Sequence, residues 1–317
     1  MRVAVVGAGA IGGFLAGALA RAGIDVAVVA RGEHLAAIRR DGLRIDGDLG
    51  EFRVRPRAAA DLGELGEFEF LLLTFKAHQW PVLFPQLAPY ARSATTLVTF
   101  QNGLPFWYVR EPPLRSVDPD GIIGATFPDD QVLGGVVHVS GHLVEPGHVR
   151  QSGGLRYVAG DPRGGRSARL EALVAAMRGA GLAAEADANV RSTVWLKLVN
   201  NVGLNTVSAL RRMTIRPLLG DMVARAEVRE LMSEALRVGQ AMGVVDEVDI
   251  DARIEYAARL DDVKTSTLQD LERGRALELE PIAGAVIELA ERYGVDVPAI
   301  RASYATLLDA QERARHG

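Results

Sequence analysis

The chain has 317 residues, a formal net charge of -4 and 48% hydrophobic residues, which is ordinary for a folded globular protein of two domains. Its pI of about 5.9 excludes the basic surface that nucleic-acid binding requires. It contains no cysteine, which excludes disulfides, a cysteine nucleophile and thiolate metal sites.

The N-terminal run from residue 3 to residue 20 is apolar and ends in Ala18-Leu19-Ala20, a composition shared by signal peptides and marginal membrane spans. Five glycines punctuate this run, and a second β-like run follows at residues 25–30. This order indicates a buried strand and helix of a βαβ unit. We therefore expect no membrane segment and a cytoplasmic protein.

The first half of the chain alternates strand and helix patterns. Short apolar runs predict strands buried on both faces of a parallel sheet, and helical patterns separate them. The predicted strands are Val3–Val6, Val26–Ala30, Phe68–Phe75, Thr95–Phe100 and Ile122–Ala125, with helices at Ala10–Ala22 and Glu33–Arg40. This alternation predicts a doubly wound α/β domain.

From Gly134 the pattern changes to short strands with Gly and Pro between them, which predicts antiparallel strands extending the sheet. These strands are Val136–Ser140, Val149–Gln151 and Leu155–Ala159, followed by a helix at Ser167–Gly179. After about Ala188 only helical patterns remain, at Val190–Leu210, Pro217–Met242, Ile250–Arg273, Pro281–Tyr293 and Pro298–Glu312. We therefore predict an α/β domain over residues 1–187 and an all-helical domain over residues 188–317.

A glycine motif lies directly between the first predicted strand and the first predicted helix: Gly7-Ala8-Gly9-Ala10-Ile11-Gly12. Gly7 permits a tight turn, Gly9 lets the backbone approach a pyrophosphate, and Gly12 lets the helix pack closely on the strand. The N-terminus of the helix then offers free N–H groups to the phosphates. These six residues are predicted to hold a dinucleotide.

The end of the second strand distinguishes NAD from NADP. An acidic residue there would bind the ribose 2′-hydroxyl and repel a 2′-phosphate. The chain instead has Ala30-Arg31-Gly32, with no carboxylate before Glu33. Because a guanidinium pairs well with a phosphate, Arg31 favours NADP(H). The alternative is that Arg31 is a solvated surface residue.

Lys197, Asn201 and Asn205 follow one another at i, i+4 and i+8 on a predicted helix, so they form one stripe. A cation and two amides beside apolar residues suit a carboxylate, or a carbonyl with hydroxyl groups. The alternative is a buried polar ladder between helices, or a lysine whose stem is buried and whose ammonium reaches solvent.

Several motifs together resemble those of the ketopantoate reductase family, in the family's order and across nearly the whole chain. They are the glycine motif with Arg31, Thr74-Phe75-Lys76-Ala77-His78-Gln79, Gln101-Asn102-Gly103, the Lys197 helix, Thr265-Ser266-Thr267-Leu268-Gln269-Asp270, and Glu278. The resemblance implies a Rossmann-type domain with a helical domain. It also implies NADPH-dependent reduction of 2-dehydropantoate to (R)-pantoate, on the pathway to pantothenate and coenzyme A.

The resemblance further implies a role for each matching residue. Lys197 would be the general acid, and Glu278 would hydrogen-bond the substrate oxygen and tune Lys197. Asn102 and Lys76 would border the nicotinamide. The residues that would bind substrate hydroxyl and carboxylate groups are Asn201, Asn205 and Ser266, with Asn102 beside them.

The chain departs from the family pattern at two places. Leu104-Pro105-Phe106-Trp107-Tyr108 follows the Asn-Gly pair, where a further glycine is usual. This aromatic cluster would either line or cover the pocket, or form a small core that pins the loop. Ala283 replaces an amide and Leu277 replaces a small polar residue. Both changes indicate a more apolar pocket than ketopantoate requires.

These departures leave other functions open. One alternative is a relative that reduces a bulkier 2-keto acid or an imine, and another is a non-catalytic NADPH-binding sensor. A β-hydroxyacid dehydrogenase shares the glycine motif and a lysine, but Arg31 argues against its NAD-dependent form. His138, His142 and His148 indicate a surface hairpin, so no metal is expected. A homodimer formed through the helical domain is a further hypothesis, which no sequence motif supports.

Overall fold

The structure is a computed structural model that describes residues 1–91, 93–259 and 262–316, with side chains to residue 313. Its contacts divide the chain into two compact units. The first comprises Met1–Gln101 and Ile122–Val190, and the second comprises Asn102–Gly121 and Arg191–Gly317. The chain therefore leaves the first unit at residue 101, returns at residue 122, and leaves again at residue 190.

The described part of the first unit contains one sheet of ten strands. The strands are β1 (Arg2–Val6), β2 (Asp25–Val29), β3 (Leu43–Asp46), β4 (Phe52–Val54), β5 (Arg57–Ala59), β6 (Phe70–Leu73), β7 (Thr96–Thr99), β8 (Val132–Glu145), β9 (His148–Gly160) and β10 (Ala183–Ala186). Their order in the sheet is β4-β3-β9-β8-β7-β6-β1-β2-β5, with β10 beside β9. The central strands are parallel, as predicted, and their side chains are buried on both faces.

Helices connect these strands, which gives the predicted α/β alternation. They are α1 (Ala10–Arg21), α2 (Gly32–Asp41), α3 (Trp80–Leu87), α4 (Ile122–Thr126) and α5 (Ala168–Gly179). The large side chains of α1, Phe14, Leu15 and Leu19, are buried in the core of this unit. The N-terminal apolar run is thus a strand and a helix. Among the described residues, no helix has the length and apolar character needed to cross a membrane.

The antiparallel extension of the sheet is confirmed, but it is longer than predicted. β8 and β9 pair as one antiparallel hairpin, and the predicted strands Val149–Gln151 and Leu155–Ala159 are both parts of β9. His148 lies at the start of β9, where its Nε2 is 3.0 Å from a carboxylate oxygen of Asp46. His148 therefore contributes to the contacts between the hairpin and β3.

The predicted strand at Ile122–Ala125 is wrong, because these residues form helix α4. The Thr126 hydroxyl donates a hydrogen bond to the Ile122 carbonyl at 2.7 Å, one helical turn back. Ile122 is 51% exposed, whereas residues in the central strands of a sheet with helices on both faces are buried. A run of four apolar residues fits a strand or a helical turn equally well, so periodicity could not distinguish them.

The regular secondary structure of the second unit, in its described residues, consists of helices. Its helices are α6 (Val190–Asn200), α7 (Thr206–Arg211), α8 (Ile215–Gly220), α9 (Met222–Ala241), α10 (Ile250–Arg259), α11 (Ser266–Glu272), α12 (Ala285–Tyr293) and α13 (Pro298–His316). The long helix α9 contacts α8, α10, α12 and α13 and so forms the centre of the unit. Buried Glu234 of α9 accepts hydrogen bonds from the Ala299 and Ile300 N–H groups at the start of α13.

Several predicted helices are divided in the structure. A π-helix at Asn201–Asn205 interrupts the stretch Val190–Leu210, and another at Glu280–Gly284 precedes α12. The stretch Ile250–Arg273 forms α10 and α11, and residues 260 and 261 lie outside the described residues. The stretch Pro217–Met242 is divided at Asp221, whose carboxylate caps α9 by accepting from the Val223 and Ala224 N–H groups.

Candidate active site

The glycine motif of the first unit forms a tight turn at the carboxyl end of β1. Gly7 has a φ of +100°, and the N–H groups of Gly7 and Ala8 donate to the Val29 carbonyl at 3.2 and 3.1 Å. A Cβ atom on Gly12 would lie 2.2 Å from both the Gly7 carbonyl oxygen and the Thr74 hydroxyl. A Cβ on Gly9 would meet no atom within 4 Å. The turn is therefore closely packed at Gly12 and open at Gly9.

The open side of this turn is the N-terminus of α1. Gly9 is the N-cap, and the first helical turn contains no acidic residue. The first N–H groups of a helix have no partner within the helix, and the helix dipole makes this end attractive to anions. Gly9, Ala10 and Ile11 are accessible, whereas Ala8 and Gly12 are buried. These residues fit the diphosphate of a dinucleotide.

Arg31 and Lys76 lie at the same edge of the sheet as the glycine turn. In the parallel register Val6 is paired with Val29 of β2 and with Leu73 of β6, so the residues after these strands share one edge. Arg31 is the exposed N-cap residue of α2, and partly buried Lys76 follows β6. The structure thus brings a guanidinium and an ammonium to the edge where anionic ligands of such sheets bind.

Thr74 and His34 support the glycine turn, a role that the sequence did not indicate. The Thr74 hydroxyl donates to the Gly7 carbonyl at 2.8 Å. The Gly147 N–H donates to Nδ1 of His34 at 2.9 Å, so we assign the proton to Nε2, which donates to the Ala8 carbonyl at 2.7 Å. Burial lowers the pKa of His34, which favours this neutral form. The His34 contact joins residues far apart in sequence, so no local pattern indicated it.

Lys197 is a partly buried cation on α6 in the second unit. Burial lowers the pKa of Lys197 to about 8, and the negative charge of Glu278 acts in the opposite direction. Glu278 is itself partly buried, between the buried side chains of Leu277 and Leu279. The structure therefore brings these two predicted residues into electrostatic contact, and the lysine is an acid with a pKa close to neutrality.

The predicted α-helical stripe of Lys197, Asn201 and Asn205 is wrong in its geometry. Asn201 begins a π-helix, whose i→i+5 hydrogen bonds widen the turn and end the regular 3.6-residue spacing. The two amides nevertheless remain together, because Asn205 Nδ2 donates to Asn201 Oδ1 at 3.4 Å. Asn201 is 9% exposed. This π-helix contacts the second one, which follows Glu278.

Ser266 is exposed at the first position of α11. Its neighbour Thr265 is buried and caps this helix, accepting from the Leu268 N–H and donating to the Ser208 hydroxyl at 3.1 Å. The helix ends at Glu272, one residue before the end of the predicted stretch Ile250–Arg273. The fixed position of Ser266 therefore depends on the cap at Thr265.

Asn102 begins the segment Asn102–Gly121, which belongs to the helical unit. Gly103 has a φ of +80°, and a Cβ on it would lie 2.6 Å from the Pro281 carbonyl oxygen. The same carbonyl accepts a hydrogen bond from the Leu104 N–H at 2.6 Å. These contacts fix Asn102 next to the π-helix that follows Glu278.

The aromatic residues after Asn102 form a core that pins this segment. Phe106, Trp107 and Tyr108 are at most 3% exposed. The Tyr108 hydroxyl donates to the Arg191 carbonyl at 2.8 Å, and Arg191 Nη2 donates to the Tyr108 carbonyl at 2.7 Å. The Tyr108 ring also packs 6.0 Å from that of Trp195 on α6. Of the two interpretations of this cluster, the structure supports the small core.

Two family models match the chain, one over its N-terminal part and one over its C-terminal part. Residues 3–164 match the family model described as "Ketopantoate reductase PanE/ApbA", and residues 189–311 match its C-terminal counterpart. The chain is 39% identical over 310 residues to a 2-dehydropantoate 2-reductase of Mesorhizobium japonicum, covering 95% of each chain. It is 31% identical over 306 residues to that of Halobacterium salinarum, covering 95% of this chain and 96% of the relative.

Solved structures are similar over the same length. A PanE/ApbA family ketopantoate reductase from Ralstonia eutropha JMP134 superposes with a TM-score of 0.86 and 27% identity, covering 100% of both chains. The similarity extends through both the α/β and the helical regions.

Proposed function

Because the chain belongs to the ketopantoate reductase family, we propose that it reduces 2-dehydropantoate to (R)-pantoate with NADPH, on the pathway to pantothenate and coenzyme A. The observation that carries this proposal is the charged pair of Lys197 and Glu278, in which burial lowers the pKa of the lysine to about 8. An acid of this strength is largely protonated at pH 7, yet gives up its proton far more readily than an ordinary lysine.

NADPH is the cofactor of this family, and the first unit supplies residues that would hold it. The diphosphate would bind the open N-terminus of α1 at Gly7, Ala8, Gly9, Ala10, Ile11 and Gly12. The exposed guanidinium of Arg31 would pair with the 2′-phosphate, and Lys76 would border the nicotinamide. Asn102, which belongs to the second unit, is the other residue proposed to border the nicotinamide. When bound, NADPH supplies the hydride that the carbonyl carbon receives.

The helical unit would supply the proton. Lys197 Nζ would hydrogen-bond the keto oxygen of the substrate and protonate it as negative charge develops there. Glu278 keeps the buried ammonium charged before the reaction, because its negative charge raises the pKa of Lys197 against the effect of burial. Asn201, Asn205 and Ser266 would bind the hydroxyl and carboxylate groups of the substrate.

A bulkier 2-keto acid is the second candidate substrate. Leu277 and Ala283, which replace polar residues of the family pattern, are 6% and 4% exposed. Leu277 directly precedes Glu278, and Ala283 lies within the π-helix after it. Apolar side chains beside Glu278 would favour a substrate with a larger apolar substituent. The same Lys197 chemistry would apply to either substrate.

We further infer that the enzyme acts in the cytoplasm, where NADPH is available.

We also infer that the enzyme associates as a homodimer. Sedimentation equilibrium of the purified protein tests the association. A single species with the 34.0 kDa mass of one chain across micromolar concentrations would contradict it.

The experiment for the proposed function is NADPH oxidation with 2-dehydropantoate and a panel of bulkier 2-keto acids and cyclic imines. We expect the highest kcat/KM with 2-dehydropantoate. A preference for bulkier acids would retain the mechanism and replace the substrate. NADPH binding without any turnover would instead indicate the sensor function and contradict the proposal.

A further inference from the structure

The second unit contains a cavity of about 630 Å³ that the proposed function does not use. Its lining comes from the segment Asn102–Gly121, the π-helix Glu280–Gly284 and the helices α12 and α13, all of which belong to this unit. The described residues that line it include none of the proposed catalytic, substrate-binding or cofactor-binding residues. Small-molecule sites typically have volumes of about 300–1,000 Å³, so the cavity is large enough for a ligand.

One wall of the cavity is held in place by α12. The Glu288 carboxylate accepts hydrogen bonds from the N–H groups of Arg115 and Ser116, each at 3.1 Å, and from the Ser116 hydroxyl at 3.0 Å. It also accepts from the Arg292 guanidinium at 2.5 Å, one helical turn further along α12. The charges of Glu288 and Arg292 therefore balance each other, and the backbone from which the Arg115 side chain extends is fixed.

A second carboxylate, that of Glu280 at the start of the π-helix, also lines the cavity. The Tyr304 hydroxyl of α13 donates to its Oε1. Burial and this hydrogen bond raise the pKa of Tyr304, so the hydroxyl stays protonated and neutral. A Cβ on Gly284 would lie 2.7 Å from Oε2 of Glu280 and 3.5 Å from the Ser116 Cβ. The missing side chain of Gly284 therefore leaves space beside Oε2.

Two of the charges that line the cavity are not balanced by the protein. Within the described residues, the Arg115 guanidinium and the Glu280 carboxylate form no ion pair, either with each other or with a third group. Glu291, which also lines the cavity, is by contrast paired with Arg301 at 2.8 Å. Opposite charges that line one cavity without meeting can both be satisfied by a ligand that carries both charges.

The remaining chemistry of the cavity narrows the class of ligand. A carboxylate such as that of Glu280 accepts hydrogen bonds from an ammonium, and the planar donors of Arg115 match a carboxylate. The partly buried side chain of Ile287 adds an apolar surface, which suits an aliphatic group. An aliphatic amino acid carries these three groups in one small molecule.

We propose that this cavity binds a small zwitterion of the aliphatic amino-acid class, with its ammonium at Glu280 and its carboxylate at Arg115. The hydrogen bonds from Tyr304 to Glu280 and from the Arg115 backbone to Glu288 hold the two charged residues before the ligand arrives. The proposal goes beyond the proposed function and does not depend on it, because it requires neither the cofactor nor the reaction.

Calorimetric titration of the full-length protein with L-leucine tests the proposal. L-Leucinamide lacks the carboxylate of this probe, and N-acetyl-L-leucine lacks its ammonium. We expect one L-leucine to bind per chain and each analogue to bind at least about 10-fold more weakly, because a charged hydrogen-bond partner is lost. Absence of L-leucine binding up to about 10 mM, or equal binding of either analogue, would overturn the proposal.

Two substitutions assign the two charges. Glu280→Gln and Arg115→Gln should each weaken L-leucine binding by about 10- to 100-fold. The melting temperature of the free protein should not change, because glutamine can still accept from Tyr304. Glu280→Gln should also remove the preference for L-leucine over N-acetyl-L-leucine, and Arg115→Gln the preference over L-leucinamide. Glu230→Gln and Arg237→Gln are the matched controls, since both residues are exposed on α9 and do not line the cavity.

A further variant and a second measurement locate the bound L-leucine. Lys197→Ala should bind L-leucine as tightly as the wild type, and L-leucine should slow hydrogen exchange at the backbone of Glu280–Gly284. Loss of binding in Lys197→Ala, with binding retained in Glu280→Gln and Arg115→Gln, would place L-leucine in the active site and overturn the proposal. Failure of the proposed function is seen separately, as absence of 2-dehydropantoate turnover by a protein that still binds L-leucine.

Discussion

The two units of the chain offer their ligands different kinds of chemistry. The first unit presents a backbone surface, in which a glycine turn and the N-terminus of α1 offer N–H groups on an open side. The second unit presents side chains, in which Lys197 is charged although burial opposes its charge. The first arrangement suits the phosphates of a cofactor, which are bound but do not react. The second suits the transfer of a proton.

This difference also determines how mutations at each site affect binding and folding. Backbone donors are removed only by changes that disturb the packing of the turn, so structure and binding are lost together. A side chain such as Lys197 can be removed with little effect on the fold. Mutations should therefore separate binding from chemistry in the second unit, whereas at the closely packed Gly12 of the first unit they should couple binding to folding.

The largest effect is expected for Lys197→Ala. Removing the general acid should lower kcat for 2-dehydropantoate by about 10³- to 10⁴-fold, because proton transfer by a positioned group contributes about this much. The NADPH dissociation constant, measured by fluorescence, should change by less than about threefold. An equal loss of NADPH binding would show that Lys197 holds the cofactor or the fold rather than the proton.

Arg31→Ala should have the next largest effect, on the choice of cofactor. Loss of a charged partner for the 2′-phosphate should weaken NADPH binding by about 10- to 100-fold and leave NADH binding nearly unchanged. Arg40→Ala is the control, because Arg40 is also on α2 but pairs with Asp41. Equal effects of the two substitutions on NADPH would remove Arg31 from the cofactor site.

Gly12→Ala and Gly9→Ala test the coupling of binding to folding. A Cβ on Gly12 would overlap the Gly7 carbonyl and the Thr74 hydroxyl, so we expect a loss of about 1–3 kcal/mol of unfolding free energy. A Cβ on Gly9 meets no protein atom, so Gly9→Ala should preserve stability and weaken NADPH binding. Urea denaturation with and without NADPH measures both quantities. A stable Gly12→Ala variant would contradict the packing argument.

His34→Ala should have the smallest effect. It removes the neutral hydrogen bond that holds the Ala8 carbonyl, so NADPH binding should weaken by about 3- to 10-fold. Because the pKa of His34 is lowered, the neutral ring should persist at pH 7, and only in acid should protonation of Nδ1 remove the acceptor for the Gly147 N–H. Calorimetric titration of NADPH at several pH values checks this, and His142→Ala, at a partly buried position of β8, serves as the control.

The local character of the glycine turn is the reason that the sequence predicted it. Six consecutive residues between a strand and a helix contain the turn, the open face and the close packing, so the residue types alone specify the geometry. The central strands were predicted for a similar reason, since their apolar runs are long enough to indicate burial. The short strands β3, β4, β5 and β10 were missed because three or four residues give too little pattern.

The helical unit was harder to predict because its site depends on contacts between distant segments. The sequence suggested Lys197, Asn201 and Asn205, but the π-helix that changes their spacing is a matter of hydrogen-bond register, which leaves no residue pattern. Nor could spacing connect Lys197 to Glu278, or the segment after Asn102 to Pro281. Only the family resemblance groups Lys197 with Glu278 at the level of the sequence.

The measurement that tests the central claim most directly is the pH dependence of kcat/KM for the wild type and Glu278→Gln. A general acid works only while protonated, so activity should be constant at lower pH and decline as the pH rises through about 8, the pKa of Lys197. Because Glu278 raises that pKa, its neutralisation should move the decline to lower pH. A decline only near 10.5, the ordinary lysine value, or one that Glu278→Gln leaves in place, would contradict the account.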